Sequence, residues 1–415
     1  MTDYPKKVVV TGMGLVSPIG LNLEDYWKNL LNGKSGVAPI TKFDTTDFKT
    51  KFAAELKEFD PEDYMDRREA RYMDPFCHYA VAAADMAIKD AGLEEEKLDL
   101  NRIGVIVGSG IGGMCIFENQ VEVMLKHGPR RITPFFVPIM IIDIASGHIS
   151  MRHNFKGPNF ATVSACATAS HAIGTAVDNI RLGRADVMVC GGSEAPITKM
   201  GIGGFNAMRA ISTRNDEPEK ASRPFDKDRD GFIVGEGSGI LILEAEEHAK
   251  TRGARIYAEI TGVGFTADAY HITAPAPGGE GAVRAMKMAL DETGISPEEV
   301  DYINAHGTST LLNDKNETEA IKTLFGEHAY KLKVSSTKSM IGHLLGAAGG
   351  VESIATIMSV VENKIHPTIN YDTPDPDCDL DYVPNKAIKH TTNHALCNTF
   401  GFGGHNASLL FSKYQ

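Results

Sequence analysis

ATVSACATASHAIGTAVDNI, residues 161 to 180, passes from a short β-type run (Ala161, Thr162, Val163) through Cys166 into small residues at helix-compatible spacing. Ala167, Ala169, Ala172, Gly174 and Ala176 carry little side chain, so they drive burial weakly but let a helix pack closely inside a protein. The spacing predicts a central helix beginning at or just after Cys166. A thiol there faces unpaired backbone N–H groups and the positive end of the helix dipole. Both favour thiolate over thiol, the form that acts as a nucleophile. A free cysteine is also one of the most commonly buried small residues, so this stretch alone leaves nucleophile and packing element both open.

Working outward, 415 residues are enough for two domains or one large pseudo-symmetric unit with ample core. Hydrophobic content of 42% and charged content of 23% are ordinary for a soluble globular chain. A net charge of −12 argues against nonspecific nucleic-acid binding and requires a local basic patch for any acidic partner. The six cysteines are scattered without a CxxC, which fits a reducing compartment and offers no zinc framework. MTDYPKKVVVTGMG enters a strand without an apolar leader. The most apolar run, Phe135 to Ile144, is broken by Pro138 and Asp143 and is too short to span a bilayer. A cytoplasmic protein with no membrane segment is expected.

Lys7 to Thr11 reads as a buried strand ending in Gly12 and Gly14, and Arg67 to Ala91 as one long amphipathic helix. Ile103 to Val107 and Asp186 to Cys190 read as further buried strands, while the Pro-punctuated Gly128 to Pro138 reads as a surface or interface excursion. From Arg255 the same order recurs. A strand runs from Ile256 to Thr261, a helix from Gly281 to Thr293 and a strand from Val300 to Asn304. The small-residue helix GHLLGAAGGVESIATI then echoes the Cys166 helix. Apolar strands alternating with helices predict parallel α/β layering. The repeat predicts two similar halves, 1–254 carrying the cysteine and 255–415 carrying two notable histidines. Ser212 to Gly237, charged and turn-rich, reads as a long surface excursion.

Those histidines stand in NAHGTST (304–310) and SSTKSMIGH (335–343). If the halves are related, His343 lies near the counterpart of Cys166, and the strand-end turn bearing His306 opens onto the same cavity. DKDRDG (226–231) imitates an EF-hand start. Gly237 stands where a bidentate glutamate is required, so no calcium site, and no metal site, is expected. The glycine turns at 12–14 and 108–113 do not complete a dinucleotide fingerprint and read as close backbone packing. Phe400 to Asn406, FGFGGHN, predicts a turn that brings backbone N–H groups to a reacting centre, with Phe400 and Phe402 as a mobile apolar flap.

SACATAS, GGSEAPIT, RPFDKDRDGFIVGEG, NAHGTST, SSTKSMIGHLLGAAG and NTFGFGGHN, in this order, resemble the β-ketoacyl-acyl carrier protein synthases, condensing enzymes of the thiolase-like superfamily. The resemblance covers essentially the whole chain. DAYHITAPAP (268–277) is similar to the type II elongation synthases, and two histidines rather than His and Asn set the chain apart from the initiating synthases. The resemblance implies a thiolase-like α/β fold of two pseudo-symmetric halves in α-β-α-β-α layers. It implies decarboxylative condensation of malonyl-acyl carrier protein with an acyl group held on Cys166, without cofactor. His306 and His343 are then the enolate donors, and Lys338 with Glu352 the support of the site's charge. The N–H groups of Cys166 and Phe402 form the oxyanion hole. Thr308 and Thr310 bind the pantetheine arm, while Ile111, Phe205, Phe400 and Phe402 shape the acyl pocket. Acidic carrier protein would dock at Arg68, Arg71, Arg130, Arg131 and Arg209, and the enzyme would be a homodimer. One departure is Leu311, where these proteins usually carry proline. A polyketide ketosynthase, or a non-catalytic partner subunit of the chain-length-factor kind, is the alternative; retention of Cys166, His306, His343 and Lys338 argues against the latter.

Overall fold

The structure, a computed structural model, describes residues 6–93 and 97–415. Ten strands form its main sheet: β1 (Val8–Val16), β2 (Ile103–Gly108), β3 (Asn159–Phe160), β4 (Val187–Glu194), β5 (Gly237–Ala245), β6 (Ala258–Ala267), β7 (Tyr302–Asn304), β8 (Lys333–Ser335), β9 (His394–Gly401) and β10 (His405–Ser412). Four helices matter most for the site: α1 (Pro75–Ala91), α2 (Thr168–Arg181), α3 (Glu280–Asp291) and α4 (Ala348–Glu362).

β1 runs straight through Gly12 and Gly14, where the sequence predicts its end. The glycines are there for α1, which lies across the strand. A Cβ on Gly12 would stand 2.4 Å from the Ala87 carbonyl oxygen, and one on Gly14 2.0 Å from that of Ala83. β6 repeats the device in the second half. Cβ atoms on Gly262 and Gly264 would each stand 1.9 Å from a carbonyl oxygen of α3, those of Ala289 and Ala285. The close backbone packing expected of the glycines at 12–14 is thus packing against a helix, inside the strand rather than at its end.

The strand order confirms the repeat. It reads β3-β2-β4-β5-β1 in the first half and β8-β7-β9-β10-β6 in the second, joined where Val9 pairs with Glu259 and Val10 with Ala258. In each half the three outer strands are parallel and the remaining pairings antiparallel, so the sheet is mixed rather than parallel throughout. A tight turn between β9 and β10 dictates the antiparallel pairing there. α1 covers β1 and β5 from outside, and α3 covers β6 and β10. α2 and α4 lie in the middle, α4 touching both β5 and β9, which completes the α-β-α-β-α layering of a thiolase-like fold. Among the described residues, 345–362 is long and apolar enough to cross a membrane, and 89% of it is buried as this core helix.

Two further expectations fail, one of them in part. The helix predicted over Arg67 to Ala91 is two, Arg67–Ala70 and α1, because Pro75 has no N–H to continue the ladder. Asp74 caps α1 instead, and its other oxygen accepts from Ile116 N at 2.7 Å. The Ser212 to Gly237 segment is a surface excursion only over 213–220; Ser212 before it and Arg223, Asp226, Arg229 and Glu236 beyond it are buried. Its charges pair inward: Arg223 Nε donates to Asp226 Oδ1 at 2.9 Å, and Arg229 binds Asp375 at 2.6 Å beside Asp314. Gly128 to Pro138 does lie at the surface, ending in a short helix, Phe136–Met140. Leu125, Phe135 and Val137 are exposed around it.

Candidate active site

Cys166 sits in a single tight turn, 165–167, that leads into α2. Ala165 enters the turn at φ 49°, a left-handed conformation that costs about 1 kcal/mol or more for a residue with a Cβ. The turn is held by Thr168 Oγ1, which accepts from Ser164 N at 2.9 Å. Gly401 lies against it: a Cβ there would stand 3.1 Å from Cys166 N, so glycine leaves that N–H approachable. The Phe402 N–H lies close enough to the sulfur to favour its charged form.

Cys166 opens onto a cavity of about 440 Å³. Around it the structure gathers His306, His343, Ile111, Phe205, Thr308, Thr310, Phe400 and Phe402, with Arg209 also on its wall. Leu311, the departure, stands there too and is exposed. Lys338 and Glu352 are not on the wall but behind it, fully buried and ion-paired with each other. Arg68, Arg71, Arg130 and Arg131 are exposed and away from the cavity lining.

His306 follows β7, and its main chain is fixed by a carboxylate. Glu317 accepts from His306 N and Gly307 N, each at 2.8 Å, and burial pushes that carboxyl up to about 7. Asp314 does the same for the next turn, accepting from Ser309 N at 3.2 Å where Ser309 holds φ 71°. The two histidine rings stand 5.4 Å apart, edge to face. Burial first, and then the Lys338 ammonium, hold both rings well below the usual histidine range, so both are neutral at neutral pH. Each Nδ1 meets a donor, Lys338 Nζ at 3.4 Å for His306 and Leu345 N at 3.2 Å for His343. These partners assign the ring proton to Nε2 in both cases. The result is two neutral donors beside one thiol.

The thiol itself departs from expectation. Burial pushes Cys166 up to about 11, outweighing the lowering by Lys338 and by the Phe402 N–H. Burial raises a thiol even at the start of a helix, and Cys166 is only 7% exposed. The resting form is the thiol.

Sequence reading missed the carboxylates. Glu194 is buried and accepts from Ser109 Oγ at 2.6 Å, Gly110 N at 2.7 Å, Gly346 N at 2.9 Å and Ile111 N at 3.1 Å. Its GGSE context was visible, but nothing local says which N–H groups it meets. Asp314 and Glu317 lie three apart on one helix, a spacing that signals a shared face and no more.

A buried cysteine at a strained turn thus shares one cavity with two neutral imidazoles, between the halves of a thiolase-like fold. Residues 5–249 match the Beta-ketoacyl synthase N-terminal domain family and residues 257–372 its C-terminal domain. The chain belongs to the beta-ketoacyl synthase family. It is 54% identical to the 3-oxoacyl-[acyl-carrier-protein] synthase 2 of Synechocystis sp., over 99% of both chains. It is likewise 54% identical over 99% of both to the protein of that name from Staphylococcus aureus. Among solved structures, a beta-ketoacyl synthase from Burkholderia phymatum is 36% identical, with a TM-score of 0.92, over 99% of this chain and 100% of that one. A ketosynthase of a type II polyketide system, solved in complex with its acyl-carrier protein, is 37% identical with a TM-score of 0.92, over 99% and 100%.

Proposed function

We propose that this chain elongates fatty acids by condensing malonyl-acyl carrier protein with an acyl group stored on Cys166. The observation that carries the reading is one buried thiol sharing a cavity with two neutral Nε2–H donors. Cys166 attacks the acyl thioester; its S–H proton passes to the departing carrier thiolate, and the acyl group stays on sulfur. The tetrahedral oxyanion is held by the N–H groups of Cys166 and Phe402. Malonyl-carrier protein then loses CO2, and the electrons of the broken C–C bond become an enolate. Its oxygen accepts from His306 and His343, which as neutral donors stabilise the charge without surrendering a proton. The enolate carbon attacks the acyl carbonyl, the cysteine thiolate leaves and takes up a proton, and the product is two carbons longer. Lys338, neutralised by Glu352, keeps His306 in its donor tautomer.

The higher identity to fatty-acid synthases than to polyketide ketosynthases favours the elongation pathway. Thr308 and Thr310, whose hydroxyls are 2.9 Å apart, would bind the pantetheine arm, and Ile111, Phe205 and Phe400 would shape the acyl tunnel with Phe402 as gate. Carrier protein would dock over Arg209, with Arg68, Arg71, Arg130 and Arg131 on its acidic face. The exposed apolar residues Leu125, Phe135 and Val137 support a homodimer, in a cytoplasmic enzyme built of halves 1–254 and 255–415.

Intact-protein mass after incubation with medium-chain acyl-carrier protein tests the reading. Wild type gains one acyl group and Cys166→Ala gains none; malonyl-carrier protein then discharges the adduct as an elongated product. No adduct on wild type would leave the fold without the chemistry and favour a non-catalytic partner subunit.

A further inference from the structure

The turn carrying Cys166 has a double in the other half. Ala165 (φ 49°) corresponds to Leu345 (φ 47°), and Ala167 (φ −90°, ψ 2°) to Ala347 (φ −84°, ψ −16°). Thr168 (φ −52°, ψ −53°) corresponds to Ala348 (φ −51°, ψ −54°) at the start of α4. Gly346 is therefore the counterpart of Cys166, and its N–H the counterpart of an oxyanion-hole donor. That N–H is occupied. It donates to Glu194, whose carboxylate also takes the N–H groups of Gly110 and Ile111 and the Ser109 hydroxyl. Together with the 109–111 loop, the second turn forms an anion-binding nest filled by the protein's own carboxylate.

The nest has two neighbours in the working cavity. Ile111 hangs on one side of it, and its N–H is one of the four donors. On the other side Leu345, one residue before Gly346, gives its own N–H to His343 Nδ1. One buried side chain thus ties the loop at the apolar wall to the strained turn that sets the tautomer of a decarboxylation donor.

We infer that Glu194 is a positioning residue, setting the acyl wall at Ile111 and the orientation of His343 together. The inference rests on the condensing function proposed above. Replacing the carboxylate by an amide in Glu194→Gln turns an NH2 group toward backbone donors that need an acceptor, so both neighbours shift.

The test compares wild type, Glu194→Gln and Ser109→Ala in the intact enzyme. Each is measured for folded fraction, for acyl loading by intact mass across chain lengths, and for kcat and KM with malonyl-carrier protein. Glu194→Gln is expected to lose about 100-fold in kcat per folded enzyme, the scale of a misplaced reacting group. KM should move little, and the preference among acyl chain lengths should change. Ser109→Ala removes one donor of four and should move the same quantities by about fivefold, the weight of one ordinary hydrogen bond. Wild-type kcat and an unchanged chain-length profile in folded Glu194→Gln would overturn the inference. So would a loss that follows only the folded fraction. If Glu194→Gln does not fold, Ser109→Ala decides, and a silent Ser109→Ala overturns it. A wild type that neither loads nor condenses defeats the functional reading instead, and takes this inference with it.

Discussion

Two turns with the same backbone stand at the starts of α2 and α4, and only one carries a thiol into the cavity. At 166 the helix-start position carries a sulfur, and glycine at 401 leaves the neighbouring N–H free for a substrate oxygen. At 346 the position is itself glycine, and the neighbouring N–H groups are taken by Glu194. Backbone geometry alone, then, does not make a reactive centre. What distinguishes the two is whether the donors are left for a ligand or satisfied within the protein.

The largest effect that would sharpen this contrast lies in the histidines. His306→Ala and His343→Ala should each lower condensation by about 10²–10³-fold, the cost of one oxyanion-type donor, yet leave the acyl adduct on Cys166. Loss of the adduct along with condensation, read by intact mass, would assign them to the nucleophile's side instead.

Next comes the pair behind the wall. Lys338→Ala strands the Glu352 carboxylate in a fully buried place, so turnover should fall and stability drop by about 3–5 kcal/mol. The double variant Lys338→Met with Glu352→Gln should recover much of the stability in denaturant unfolding, but not the turnover.

Glu317 holds the His306 loop as Glu194 holds the Ile111 loop, and burial lifts it from 4.5 to about 7. A carboxyl raised on folding contributes stability that is complete below its unfolded value and lost as pH rises through the folded one. Between pH 4.5 and above 7 wild type should lose about 3 kcal/mol relative to Glu317→Gln. Parallel stability curves for the two proteins would refute this.

The smallest effect probes the silent turn directly. A Cβ on Gly346 would stand 2.3 Å from Gly110 N and 2.6 Å from Glu194 Oε2. Gly346→Ala should cost about 1–3 kcal/mol by overpacking. Gly346→Cys should do the same without becoming a second acylation site, and a doubly acylated protein would break the comparison.

Much of this was legible in the chain. The two halves, the small-residue helices and the convergence of Cys166, His306 and His343 follow from strand-to-helix junctions recurring in order. The turn within Phe400 to Asn406 reads similarly, because glycine runs advertise close backbone approach. Three features were not legible. Gly12 and Gly14 signal close packing, yet the sequence ends the strand there because one strand's residues do not show the helix lying on it. The Arg223 to Glu236 segment looks solvated because its partners, Asp314 and Asp375, are distant in sequence. The resting state of Cys166 is set by how deeply the sulfur is buried, which spacing does not encode.

β10 occupies a place inside the sheet, between β9 and β6, although its residues, 405–412, follow those of every other strand in the sheet. During synthesis the sulfur at 166 therefore emerges long before the N–H of Phe402, and the strand that pins that donor in place comes later still. A chain that folds as it is made therefore forms the turn of Cys166 before the strand that closes the sheet beside Phe402 is there to pair.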